Sequence, residues 1–144
     1  MRDIEFIPLS GDALAAQLAS HGVTPTPQRL QIAELLFCKP QHLSAEQILA
    51  AVNRGDARVS KATVYNTLRL LSDKGLIREV IVDPTRVFYD PTTDAHHHFY
   101  NADTGELADI PQEQVEFAKL PVPPLGTEQD GVEVIVRLRR CHRR

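Results

Sequence analysis

Helix-start signals crowd the first half of the chain, and the hydrophobic period then changes abruptly. Leu14 and Leu18 share one face of a first helix that Gly22 ends. Thr26-Pro27 reads as an N-cap followed by proline at the first helical position, with Ile32, Leu35 and Leu36 recurring at helical spacing. Ser44 with Gln47 matches a capping box, and Ile48, Leu49 and Val52 form the apolar face behind it. Asn53 and Gly55 break that helix. Ser60 caps a fourth, in which Val64, Leu68 and Leu71 face inward, and Gly75 is its stop. From Leu76 to Val82 the chain turns rich in Ile and Val, Asp83-Pro84-Thr85 is a turn, and Arg86 to Asp90 is extended again. Short helices followed by a two-stranded hairpin make a winged helix-turn-helix.

The final third is mixed. His98–Tyr100 and Leu107–Ile110 read as strands around a turn at Asp103-Thr104-Gly105, Pro111 to Leu120 as a short helix, and Val132 to Leu138 as a further β-branched strand. Pro121-Val122-Pro123-Pro124 is a rigid linker. The fold class is therefore α+β, with the boundary placed near Asp83–Pro91.

At 144 residues the chain is long enough for a core without disulfide support. No apolar run approaches a membrane span and no signal-peptide pattern opens the chain, so the expectation is a cytoplasmic protein with no membrane partner. Cys38 and Cys141 make neither a disulfide framework nor a Cys-x-x-Cys site, and Cys38 reads as a buried helix-end residue. The formal charge of -3 argues against nucleic acid until position is considered. Between Arg54 and Arg86 there are seven basic residues against four acidic ones. Within that stretch, Lys61, Tyr65 and Arg69 line the outer face of the fourth helix, with Asn66 beside them and Thr63 near its N-terminus. Arg and Lys reach phosphates or guanine, Asn pairs with adenine, Tyr packs on a thymine methyl, and Thr63 with its backbone N–H holds a phosphate. A solvated face of an ordinary amphipathic helix is the alternative. The arginine tail, Arg137 to Arg144, is either a nonspecific phosphate arm or a solvated strand end.

His96 and His98 sit two apart, so a strand would put both rings on one face, with His97 on the other. Asp90 precedes them, and a strand-turn-strand layout would return Asp109 beside the imidazoles. This N/O donor set suits ferrous iron, manganese or zinc. The glutamates near the cluster in sequence are Glu106 and Glu116. A metal-dependent hydrolase is the competing class, but the chain has no His-Glu-x-x-His motif, nucleophile elbow or phosphate loop, so it is read as a non-enzyme. A winged helix that ignores metal and merely dimerises is a third class.

Four motifs in order resemble the ferric uptake regulator family of bacterial metalloregulators: T-P-Q-R at Thr26–Arg29, H-x-S-A-E at His42–Glu46, A-T-V-Y-N-T-L at Ala62–Leu68 and D-x5-H-x-H at Asp90–His98. The resemblance runs from about Gly22 to Asp109, and more weakly to Glu116. It implies a winged-helix DNA-binding domain over residues 1–83, a hinge over 84–91 and an α/β dimerisation domain over 92–144. It implies one regulatory divalent metal per subunit, Fe2+ first and Mn2+ or Zn2+ otherwise, on His42, Asp90, His96, His98 and Asp109. His97 and Glu116 fall where the family often has an auxiliary metal, although Ala95 stands where a histidine is common. Tyr65 matches the family's DNA-reading tyrosine, and Arg29 of the first motif joins the DNA-facing set, while Thr24 stands where many members have a minor-groove basic residue.

Asn101 and Thr104 occupy the positions of the family's usual Cys-x-x-Cys, so no structural zinc held by four cysteines is expected. That departure is similar to the cysteine-poor branch that includes the iron response regulators. The resemblance implies a homodimer, or a tetramer, repressing transcription from a pseudo-palindromic duplex operator, with the metal clamping the two domains. Aspartates at 90 and 109 resemble peroxide-sensing members, in which a ligand matching His42 or His96 is oxidised. A haem-sensing variant is the remaining alternative, and Cys38-Lys39-Pro40 is not a Cys-Pro pair.

Overall fold

The computed structural model describes residues 8–55, 58–94 and 96–141. Ala95, Arg143 and Arg144 lie outside the described residues. The chain divides into two compact units, Met1–Thr93 and Asp94–Arg144.

The first unit carries helices α1 (Gly11–Ser20), α2 (Pro27–Phe37), α3 (Ala45–Val52) and α4 (Lys61–Asp73). Each expected start signal is used. Thr26 Oγ1 accepts the Arg29 N–H at 3.3 Å, Ser44 Oγ accepts the Gln47 N–H at 3.2 Å, and Gln47 Oε1 accepts the Ser44 N–H at 2.9 Å. Ser60 Oγ accepts the Thr63 N–H at 3.1 Å. These caps satisfy orphan donors at the helix ends and fix where each helix begins. Gly75 follows α4 at φ +75°, the left-handed turn that a side chain would strain. Leu14, Leu18, Ile32, Leu36, Ile48, Val64, Leu68 and Leu71 are fully buried in one cluster, so the four apolar faces form one core.

The wing is a three-stranded antiparallel sheet rather than the bare hairpin expected. Strands β1 (Leu43–Ser44), β2 (Arg78–Asp83) and β3 (Arg86–Asp90) lie in the order β1-β3-β2. The Thr85 N–H and hydroxyl both donate to Asp83 Oδ1, at 2.8 and 2.7 Å, which closes the β2–β3 turn. Strand β1 is only two residues long and offers no periodicity, yet it pairs Leu43 with Tyr89 and Ser44 with Phe88. That register brings His42, one residue earlier, to the end of β3. Most of the expected hinge over 84–91 is this strand β3, because Phe88, Tyr89 and Asp90 pair and bury, and the units divide later, after Thr93.

The second unit is a sheet of order β5-β4-β6, with β4 at His97–Asn101, β5 at Leu107–Ile110 and β6 at Ile135–Leu138. Strands β4 and β5 are antiparallel, and β4 and β6 parallel. Asn101 Oδ1 accepts the N–H groups of Asp103 and Thr104, and Gly105 at φ +76° completes the β4–β5 turn. Strand β5 already returns antiparallel to β4, so β5 ends and β6 begins at the same end of the sheet, with Ile110 opposite His97 and Ile135 opposite His98. Residues 111–134 join β5 to β6 without the expected helix over Pro111 to Leu120, leaving one 3-10 turn at Gln112–Gln114. Val115 is already extended at φ -120°, ψ 117°. Val115, Phe117 and Leu120 do not share a helical stripe, and none is buried, so nothing offsets the cost of nucleating a short helix. The expected strand from Val132 begins only at Ile135.

Replacing Leu68 with Ala, at 0% exposure, is expected to lower stability by about 2–5 kcal/mol. Ile81→Ala, 60% exposed on the wing, should stay within about 0.5 kcal/mol. Urea denaturation midpoints at constant m-value compare the two; equal losses would contradict the core assignment.

Candidate metal centre and nucleic-acid interface

In the first unit the β1–β3 pairing sets His42 Nε2 3.1 Å from Asp90 Oδ2. Asp90 is 2% exposed, and its other oxygen, Oδ1, accepts the Thr92 N–H at 2.8 Å. The carboxylate is thus oriented from its own backbone, with one oxygen turned to the imidazole.

In the second unit the β4–β5 register places His98 opposite Asp109. Asp109 Oδ1 lies 3.2 Å from His96 Nε2 and 3.3 Å from His98 Nε2, and the two rings are 4.4 Å apart. The candidate ligand atoms of these three residues lie within 4.8 Å of one another. His96 Nδ1 stands 2.7 Å from the Asp94 carbonyl oxygen, an acceptor only, so Nδ1 carries the proton. His98 Nδ1 stands 3.1 Å from Glu133 Oε1, which assigns its proton the same way. A neutral ring at either position then directs its Nε2 lone pair at the Asp109 carboxylate. Two lone pairs and an anionic oxygen converging in this way repel, and a bound cation, or a proton on one of the rings, relieves that repulsion. The donor set of imidazole nitrogens and carboxylate oxygens, with no thiolate, fits Fe2+, Mn2+ or Zn2+.

His97 faces the other way. Its Nδ1 accepts the Val134 N–H at 2.9 Å, and its ring meets the edge of Phe117 with centroids 5.7 Å apart. Glu116, its expected partner at an auxiliary metal, is exposed. Glu133 is the residue that sequence reasoning misses: Glu106 and Glu116 are nearer the histidines along the chain, but the glutamate that touches them comes from 35 positions beyond His98.

On α4 the apolar face is buried as expected, and Thr67 joins it. Lys61, Tyr65, Asn66 and Arg69 are exposed, and Thr63 is half-buried. The Thr63 N–H, expected to hold a phosphate, is engaged by Ser60 Oγ, and the Ser60 hydroxyl donates to Thr63 Oγ1 at 2.9 Å. Lys61 Nζ lies 5.7 Å from the Tyr65 ring centroid. The Tyr65 hydroxyl donates to Glu46 Oε1 at 2.9 Å. The Glu46 carboxyl is held below its ordinary range first by its own backbone N–H at the start of α3 and then by this hydroxyl, while the Tyr65 hydroxyl is raised by the same bond. Arg29 Nη1 donates to the Thr24 carbonyl at 3.0 Å. Cys38 is exposed, not buried, because it caps α2 with Sγ 3.4 Å from the Leu35 carbonyl. In the tail, Arg137, Arg139 and Arg140 are exposed, and the Arg140 N–H donates to Asp103 Oδ2 at 2.6 Å.

Residues 20–124 match the model of the ferric uptake regulator family. The chain is 30% identical over 113 residues to the peroxide-responsive repressor PerR of Staphylococcus aureus, covering 78% of this chain and 76% of that protein. Among solved structures it is similar to the Vibrio cholerae ferric uptake regulator, with a TM-score of 0.70 at 23% identity, covering 88% of this chain and 99% of that one. It is also similar to the Pseudomonas aeruginosa ferric uptake regulator solved with manganese, with a TM-score of 0.64 at 24% identity, covering 87% and 96%. No described helix is long and apolar enough to cross a membrane.

Because a lowered folded pKa stabilises above the unfolded value, the Glu46 contribution is complete near neutrality and is lost as pH falls through its depressed folded pKa. Tyr65→Phe should raise the Glu46 pKa, read by carboxyl 13C titration; an unchanged value would remove this bond from the interface.

Proposed function

The chain belongs to the ferric uptake regulator family of transcription regulators, and on that premise we propose that it is a metal-responsive repressor whose two half-sets of ligands share one divalent ion. The observation that carries the reading is the presence, on each unit, of imidazole nitrogen turned against an oriented carboxylate: His42 with Asp90, and His96 and His98 with Asp109. The five residues would together hold Fe2+, or Mn2+ or Zn2+ in its place, which would supply the positive charge that these lone pairs need and link the two units.

The protein's own contribution is to fix the donors. Asp90 is held by the Thr92 N–H, His96 by the Asp94 carbonyl, and Asp109 by the β4–β5 register. His42 belongs to the same unit as α4 and precedes Leu43, which packs against the core that α4 shares, so holding it against the sheet residues restricts where the recognition face points. Lys61, Tyr65, Asn66 and Arg69 form that face, with Thr63 at its start and Arg29 on α2. In a homodimer the restriction sets the spacing between two such faces to match a pseudo-palindromic operator. Metal that binds this arrangement more tightly than the open one shifts the population toward DNA binding.

Coupling of about 1–3 kcal/mol gives a change of about 5–150-fold in operator affinity. On a duplex selected from a random pool, Asp90→Ala and His96→Ala should each lose the Fe2+ or Mn2+ dependence at fixed salt. Wild-type metal dependence in both variants would refute the shared site. Lys61→Ala should weaken all duplexes alike and reduce the salt slope by about one.

A second reading shares the same residues. The aspartates at 90 and 109, with the 30% identity to a peroxide-responsive repressor, support peroxide as the signal. Mass spectrometry of the iron form after peroxide treatment decides it: an added oxygen on His42 or His96 is expected, and none on either excludes it.

A further inference from the structure

The three consecutive histidines receive opposite instructions from their neighbours. His98 is 0% exposed, so its tautomer is set by protein groups rather than by water. Its Nδ1 meets Glu133 Oε1 at 3.1 Å, which places the proton there and leaves Nε2 as the lone pair facing Asp109. The next residue, Val134, donates its N–H to His97 Nδ1 at 2.9 Å, which forces the proton of a neutral His97 onto Nε2. The Val134 carbonyl also accepts the His98 N–H at 3.1 Å, pinning the segment to β4. Two adjacent residues, arriving by the long 111–134 connection, thus sort two adjacent histidines.

We infer that Glu133 is a positioning residue for the metal centre: it fixes the His98 tautomer and ring so that Nε2 is delivered to the ion, while strand alternation puts His97 on the opposite face, where the Val134 N–H engages its Nδ1. The inference rests on the metal-site reading above. A carboxylate behind a metal-ligating imidazole both orients the ring and raises its basicity. His96 receives the same orientation from a backbone carbonyl, which no side-chain substitution removes. Glu133 is therefore the member of this supporting layer open to mutation.

The test combines a tautomer measurement on the metal-free full-length protein with Mn2+ affinity from chelator competition. Long-range 1H–15N correlation should find the wild-type His98 proton on Nδ1. In Glu133→Ala it should shift wholly or partly to Nε2, and Mn2+ affinity should fall about 10–100-fold. Glu133→Gln keeps an acceptor oxygen at the same place, so the tautomer should persist and the affinity stay within about threefold. Cooperative thermal unfolding of the Gln variant confirms that the segment is still seated.

An unchanged tautomer or unchanged affinity in Glu133→Ala overturns the inference. So does a Gln variant that loses as much affinity as Ala, because Glu133 would then be a direct ligand. Wild-type protein that binds no Mn2+ contradicts the metal reading itself, and that result is visible before any variant is measured.

Discussion

The pairing of His98 with Asp109 across β4 and β5 is the constraint on which the second unit's chemistry depends. Strand side chains alternate with a period of two, so a slip of one residue would send Asp109 to the opposite face and take the carboxylate away from His98 Nε2. The turn holds the register. Asn101 Oδ1 collects two backbone N–H groups, and the Asn101 N–H itself donates to the Glu106 carbonyl at 2.9 Å. Asn101 stands where the family resemblance predicts a zinc-binding cysteine. In this chain a side-chain amide, with Gly105 beside it, closes the turn.

Much of the first unit was legible because its signals are local. A capping residue announces a helix within three positions, and an apolar face repeats within four. Ser44-Gln47 and Ser60-Thr63 met both conditions and formed the expected caps. The same locality explains the failures. Strand β1 has two residues, too few for any period, and exists only because β3 offers it an edge. The segment from Pro111 to Leu120 has a helix-like composition but no buried face, and tertiary packing, which decides short helices, was not readable from it. The candidate ligands that the structure brings together on each unit were legible through spacing and motif. Glu133 was not, because a contact between positions 98 and 133 leaves no trace in either neighbourhood.

Net charge was a poor guide and local charge a better one. The formal -3 coexists with a basic excess between Arg54 and Arg86, which contains α4 and its exposed Lys61 and Arg69. Glu46 complicates that face: an anion beside the recognition helix repels phosphate, but it accepts the Tyr65 hydroxyl and so fixes an aromatic ring that would otherwise sample several rotamers. Carboxylates act in the same way on the candidate metal ligands, where Asp90 meets His42 in the first unit and Glu133 meets His98 in the second.

The central claim is that His42 shares an ion with His96 and His98. Electron spin echo modulation of the Mn2+-loaded protein counts the imidazole nitrogens bound to the metal. Three are expected in the wild type, and two in His42→Ala with the remaining couplings retained. A count that His42→Ala leaves unchanged would place the ion on the second unit alone and contradict a clamp between the two.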